Sequence, residues 1–118
     1  MDRVKWIEAN GKRVLVADYS GLKALDEQLA VLDGQIKQEK GATGGLLGIS
    51  NFTNTTASTE LLERLKQTSS DGIVSEKTAV LGIDGVKAIL LQGYIRVTGR
   101  KNIKACKTEE EAIAFVTS

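Results

Sequence analysis

The period with which apolar residues recur changes several times along the chain, and each change marks an element. From Val4 to Tyr19 the sequence reads VKWIEANGKRVLVADY. Asn10-Gly11 supplies the two positive-φ positions of a type I′ turn, so this stretch predicts a β-hairpin. With Asn10 and Gly11 as the loop, Glu8 faces Arg13, Trp6 faces Leu15 and Val4 faces Ala17, while Ile7 and Val14 share the opposite face. Both faces carry apolar residues, so both are expected to be covered.

From Ser20 the spacing becomes helical: Leu22, Leu25, Leu29, Leu32 and Ile36 recur at intervals of 3, 4, 3 and 4. Ser20 is the expected N-cap and Gly41 the expected stop. Gly34 either lets another backbone come close or ends the helix early. The glycine-rich stretch from Gly41 to Gly48 reads as a turn leading into a buried strand at Leu46 to Ile49. Leu61, Leu62 and Leu65 mark a second helix, and Thr78 to Ile83 another buried strand. Asp84-Gly85 opens a third helix whose expected inner face is Val86, Ile89, Leu90 and Val97. Lys101 to Cys106 predict a last strand, and Thr108-Glu-Glu-Glu111 is a capping box opening a final helix. The order β-β-α-β-α-β-α-β-α predicts a single α/β domain over residues 1–118: a mainly parallel five-stranded sheet covered by four helices. Strand order stays open. For this length the radius of gyration should be about 13 to 14 Å.

Composition narrows the function classes. Aromatic residues are only 4% of the chain, so the core must be aliphatic and base stacking is disfavoured. Sixteen basic against fifteen acidic residues leave a net charge of +1, which argues against nucleic acid as a partner. There is no histidine and one cysteine, Cys106. The commonest general base and metal ligand is therefore missing, a thiolate metal site cannot form, and neither a cofactor nor an enzymatic activity is expected. A lone cysteine fits a reducing compartment, so the cytoplasm is the expected location. No secretory leader or transmembrane segment is expected.

The candidate chemistry is sparse. Asp18 and Asp84 stand near the carboxyl ends of strands, where open α/β sheets place ligands, yet a capping role fits them better. Cys106 reads as a buried, idle thiol. Arg96, Arg100, Lys101, Lys104 and Lys107 put five of the sixteen cations within twelve residues; Arg96, Arg100 and Lys101 are candidate anion contacts, although a solvated face accounts for them as well. In the third helix Leu91 and Ile95 form a second apolar strip beside the first, with Gly93 and Tyr94 between them. So broad an apolar face is buried deeply or meets a second subunit, another protein or an acyl chain. From Ser50 to Thr59, eight of ten residues carry a hydroxyl or an amide, including Asn51, Thr53, Thr56 and Ser58, and Phe52 lies among them. Side chains of this kind bond readily to nearby backbone in a turn that caps a helix.

Several stretches resemble a known family. Val14-Leu-Val-Ala-Asp-Tyr-Ser-Gly21, Lys77-Thr-Ala-Val-Leu-Gly-Ile-Asp-Gly-Val-Lys87, Gly99-Arg-Lys-Asn-Ile-Lys104 and Thr108-Glu-Glu-Glu-Ala112 resemble the SpoIIAA-like branch of the STAS (sulfate transporter and anti-sigma-factor antagonist) proteins, which are also compared with Sec14-type lipid carriers. The patterns are those of a fold rather than of a reaction. In the antagonists a serine of an Asp-Ser-Ser-Gly-type motif, at the start of the helix after the third strand, is phosphorylated by a partner kinase. Thr56-Ala57-Ser58-Thr59 falls on that motif, with threonine for aspartate, alanine for the first serine and threonine for glycine. The resemblance thus implies Ser58 or Thr56 as phosphoacceptor candidates, while the departures put the switch itself in question.

Two expectations follow. The first is a non-enzymatic regulatory module that binds a regulatory protein through Asn51, Phe52, Thr53, Thr56 and Ser58, with the third helix as a further interface. The alternative is a carrier or sensor of a small apolar or lipid-like ligand lying along Leu91 and Ile95, its headgroup near Arg96 and Arg100. A homodimer closed by the third helix is compatible with both.

Overall fold

The computed structural model describes residues 3–41, 46–56, 58–70, 76–100 and 102–118. Its elements are β1 (Val4–Ala9), β2 (Lys12–Asp18), α1 (Leu25–Lys40), β3 (Leu47–Asn51), α2 (Thr59–Ser70), β4 (Lys77–Leu81), α3 (Gly85–Thr98), β5 (Ile103–Cys106) and α4 (Glu109–Thr117). The fold is α/β in the expected order. Of the expected turn between α1 and β3, residues 42–45 lie outside the described residues, as does Lys101.

The hairpin forms in the expected register, with Val4 opposite Ala17, Trp6 opposite Leu15 and Glu8 opposite Arg13. Asn10 and Gly11 take φ values of 52° and 78°, as a type I′ turn requires. The remaining pairs are parallel, and the five strands lie in sequence order, β1 to β5, with β1 at the edge. A sheet built in steady order with right-handed crossovers must carry its crossover helices on one face. In agreement, α1 packs on β2 and on α2, and α2 on α3, whereas α4 turns back under the other face against β3, β4 and β5. The radius of gyration is 13.0 Å.

Two cores result. Below the sheet Val14, Ile49, Ala79, Leu81, Ala112 and Val116 pack together, with Cys106 among them. Above it Ala17, Tyr19, Leu22, Val31, Leu32 and Leu61 form the second cluster. Alternation along β3 and β4 sends Leu47, Ile49, Ala79 and Leu81 downward and leaves Ser50, Thr78 and Val80 facing α1, α2 and α3.

Two boundaries and the setting of one helix differ from expectation, and the alternative left open at Gly34 is decided. Ser20 is not a helix cap: α1 starts at Leu25, with Ala24 at its N-cap position. Gly21 at φ 74° turns the chain, its amide donates to the Thr53 carbonyl, and Leu22 enters the core from a loop. Gly34 does not end the helix; a Cβ there would stand 3.6 Å from Val4 Cγ2, so it seats the helix against β1. β4 ends at Leu81, because Gly82 at φ 73° breaks the strand before Ile83. Finally, α3 is rotated from its expected setting. Val86, Ile89 and Val97 are 67%, 72% and 67% exposed, and Tyr94 is the residue it buries. The physical cause is polar: Tyr94 and Lys87 find hydrogen-bond partners inside, as described next.

Candidate functional site

The polar segment after β3 is largely occupied with holding its own turn. Asn51 Oδ1 accepts from the Thr53 amide at 3.0 Å and the Thr53 hydroxyl at 2.7 Å. Asn54 adopts a φ of 56°, and the buried Thr55 hydroxyl donates to the Tyr19 carbonyl. Phe52 stacks on Tyr19 with ring centroids 4.7 Å apart. The Thr56 backbone is clamped from both sides: its amide donates to the Leu22 carbonyl, and its carbonyl accepts from the Gln28 side chain at 2.8 Å. Ser58 Oγ accepts from the Leu61 amide at 3.2 Å, which is the N-cap bond of α2. The Thr56 side chain is exposed and Ser58 is half-buried.

Beneath this loop a cavity of about 130 Å³ lies between the sheet and the layer of α1, α2 and α3. Its floor is Ser50 of β3, Thr78 and Val80 of β4 and Ile103 of the edge strand β5. Leu32 of α1 and Leu61, Leu62 and Leu65 of α2 close two sides, and Leu90, Leu91 and Tyr94 of α3 the third. Interiors pack with few voids larger than a water molecule, so a mainly apolar recess of this size, partly open to solvent, is a feature to be explained.

The cavity is polar at both ends. At the carboxyl ends of the strands, Lys87 Nζ donates to the Phe52 carbonyl at 2.9 Å and lies 3.7 Å from Asp84. Thr56 and Ser58 line this end. At the amino ends, Arg100 donates to Thr78 Oγ1 at 3.0 Å and to the Tyr94 hydroxyl at 3.1 Å. Gln35 and Glu39 of α1 line the cavity as well, and the Tyr19 hydroxyl donates to Gln35 Oε1 at 2.8 Å. Burial pushes the Glu39 carboxyl up to about 7, although the Gln35 side chain and the Arg100 cation pull the other way. Burial, reinforced by Glu39 and Asp33, also drives the Tyr19 phenol upward, so it stays a neutral donor.

The structure divides the residues singled out from sequence. Phe52, Thr56, Ser58, Leu91, Tyr94 and Arg100 meet around the cavity. Asn51 and Thr53 belong to the loop above it. Gly93 and Ile95 are half-buried on α3, with open space where a Cβ on Gly93 would stand, and Arg96 is exposed. The cluster of cations is split: Arg100, in the connection before β5, turns toward the cavity, while Lys104 of β5 lies on the α4 side, 3.9 Å from Glu111. Asp18 accepts from the Ser20 amide at 2.9 Å, so it closes a turn rather than capping a helix. Asp84 occupies the N-cap position of α3 without a side-chain cap bond. Because strand order never reverses, the sheet has no switch-point crevice to make either aspartate a ligand site. Cys106 is buried; burial first and Glu111 second raise its thiol, against Lys104.

Sequence reasoning passed over Gln28, Gln35 and Glu39. Their signal was present, since residues 28, 32, 35 and 39 repeat at intervals of 4, 3 and 4, a polar stripe that shares Leu32 with the apolar one. Among the described residues no group of three His, Cys, Asp or Glu side chains converges on a metal site, and no helix is long and apolar enough to cross a membrane. Comparison of the chain with protein-family models, with curated proteins and with solved structures gave no match.

Proposed function

We propose that the chain is a non-enzymatic domain that carries or senses a small, mainly apolar molecule held between the sheet and α1, α2 and α3. The observation that carries this reading is the cavity. Its volume of about 130 Å³ is close to the roughly 150 Å³ at which an engineered apolar cavity binds benzene. Apolar walls with a few fixed polar groups are the ordinary make-up of a small-molecule site. The Sec14-type side of the family resemblance points the same way, and a cytoplasmic setting, argued from the single cysteine, belongs to the reading. Native mass spectrometry of protein gently purified from its host tests it. An extra non-covalent mass, lost on denaturation, is the expected result. Bare protein that also fails to bind any of a panel of single-ring probes would overturn it.

A second reading, a regulatory module that binds a regulatory protein, is favoured by a different observation. Val86, Ile89 and Val97 expose an apolar strip on the outer side of α3, beside Arg96. Ile89→Glu should then abolish capture of a partner from the host. Unchanged capture would remove this surface from consideration.

A further inference from the structure

The amino end of the cavity has a hydrogen-bonding requirement that the described residues leave unmet. Glu39 Oε1 is buried and has no hydrogen-bond partner among the described residues. The Gln35 side chain bonds the Glu39 carboxyl and Arg100 lies close enough to act on it, yet Oε1 itself is left unpaired, while the Tyr19 hydroxyl donates to Gln35 and Arg100 donates to Thr78 and Tyr94. A buried oxygen without a partner is costly, and a ligand group that satisfies it gains correspondingly.

Charge selects among the groups that could do so. One carboxyl, Glu39, and one guanidinium, Arg100, line this end together. Either charged head would meet a like charge there, an anion Glu39 and a cation Arg100, and would lose its hydration for an opposite charge that this like charge offsets. A neutral group avoids both penalties. It must also suit either protonation state of Glu39, whose carboxyl burial pushes up to about 7. A hydroxyl does this, because it donates to the carboxylate and accepts from the carboxylic acid.

Resting on the cavity reading above, we infer that the ligand is a small apolar molecule bearing a neutral hydroxyl, an alcohol or a phenol, with that hydroxyl placed against Glu39 Oε1. The remainder of the ligand lies along Leu61, Leu65 and Leu91. A methyl group in the place of the hydroxyl would seal the oxygen from water and leave it unpaired, so the site discriminates between isosteres that differ only there.

The test is an NMR titration of the intact chain with phenol, toluene and benzoate, following the methyl groups of Leu61, Leu65 and Leu91. Phenol should bind at least tenfold more tightly than toluene and more tightly than benzoate. Glu39→Gln, which retains an acceptor, should keep that preference, and Glu39→Leu should remove it. Equal affinity for phenol and toluene in the unmodified chain would overturn the hydroxyl assignment while leaving the cavity reading intact. Benzoate as the tightest ligand would overturn the neutral head. Failure of both phenol and toluene to shift the cavity methyl groups would overturn the cavity reading, and this inference with it. The unmodified chain decides these outcomes even if Glu39→Leu does not fold.

Discussion

Arg100 and Thr78 are joined by a 3.0 Å hydrogen bond that ties the segment after α3 to the second residue of β4, at the polar end of the cavity. The same guanidinium bonds the Tyr94 hydroxyl, so one side chain fixes the rotation of α3 and the position of the cavity floor. Arg100→Met keeps the aliphatic stem and removes both bonds. It should cost about 2 kcal/mol in urea unfolding, the usual scale for hydrogen bonds to a charged group. It should also move the Glu39 carboxyl further up, because the nearby cation that holds it down is gone. Carbon-detected NMR titration of Glu39 reads the second effect.

Glu39 makes stability depend on pH in an uncommon direction for a carboxylate. Its folded value of about 7 stands above the ordinary 4.5, so between these limits the folded chain holds a proton that the unfolded chain has released. The contribution is full below about pH 4.5 and is lost as pH rises to about 7. Allowing for partial exposure, it amounts to about 2 kcal/mol. The stability of the unmodified chain relative to Glu39→Gln should fall by that amount across this window in urea unfolding, and a flat difference would refute the assignment.

Gly82 lies against the peptide that enters Thr53. A Cβ at Gly82 would stand 2.4 Å from the Thr53 amide nitrogen, and φ is 73°. Gly82→Ala should destabilise by at least about 3 kcal/mol, from backbone strain and the enforced separation of two loops. Gly85→Ala is the control, since φ there is 50° but the space is open. It should cost only about 1 kcal/mol. Guanidinium melts of the two variants separate crowding from conformational strain.

Ser58→Ala removes the N-cap bond of α2 and should cost about 1 kcal/mol, as should Thr108→Ala at α4, whose hydroxyl accepts from the Glu111 amide at 3.1 Å. Thr56→Ala, at an exposed side chain, should stay within about 0.5 kcal/mol. Thermal denaturation of the three variants distinguishes capping from mere loop position. Mass spectrometry of host-derived protein shows whether Ser58 or Thr56 also carries phosphate.

Features that depend on near neighbours are legible in the sequence. Asn10-Gly11 dictates both the turn and every pairing of the hairpin, since a two-residue loop leaves no freedom in register. Thr108 and Glu111 specify the start of α4 through a bond three residues long. The alternation of strand and helix patterns decides the class of fold, because each apolar face must be buried against another element.

Contacts between distant segments choose which of two apolar strips on α3 faces inward. Periodicity sees both strips alike, whereas Tyr94, Arg100 and Thr78 meet through the fold and choose one. Likewise α1 starts at Leu25 because the Gly21 amide and the Leu22 carbonyl are claimed by Thr53 and Thr56, more than thirty residues further along. The cavity belongs to the same class. Gln35 and Glu39 could be seen as polar residues in phase with Leu32, but the space they face is bounded by α1, α2, α3 and three strands together. A void is a property of packing between distant segments, and no local pattern encodes where such segments fail to touch.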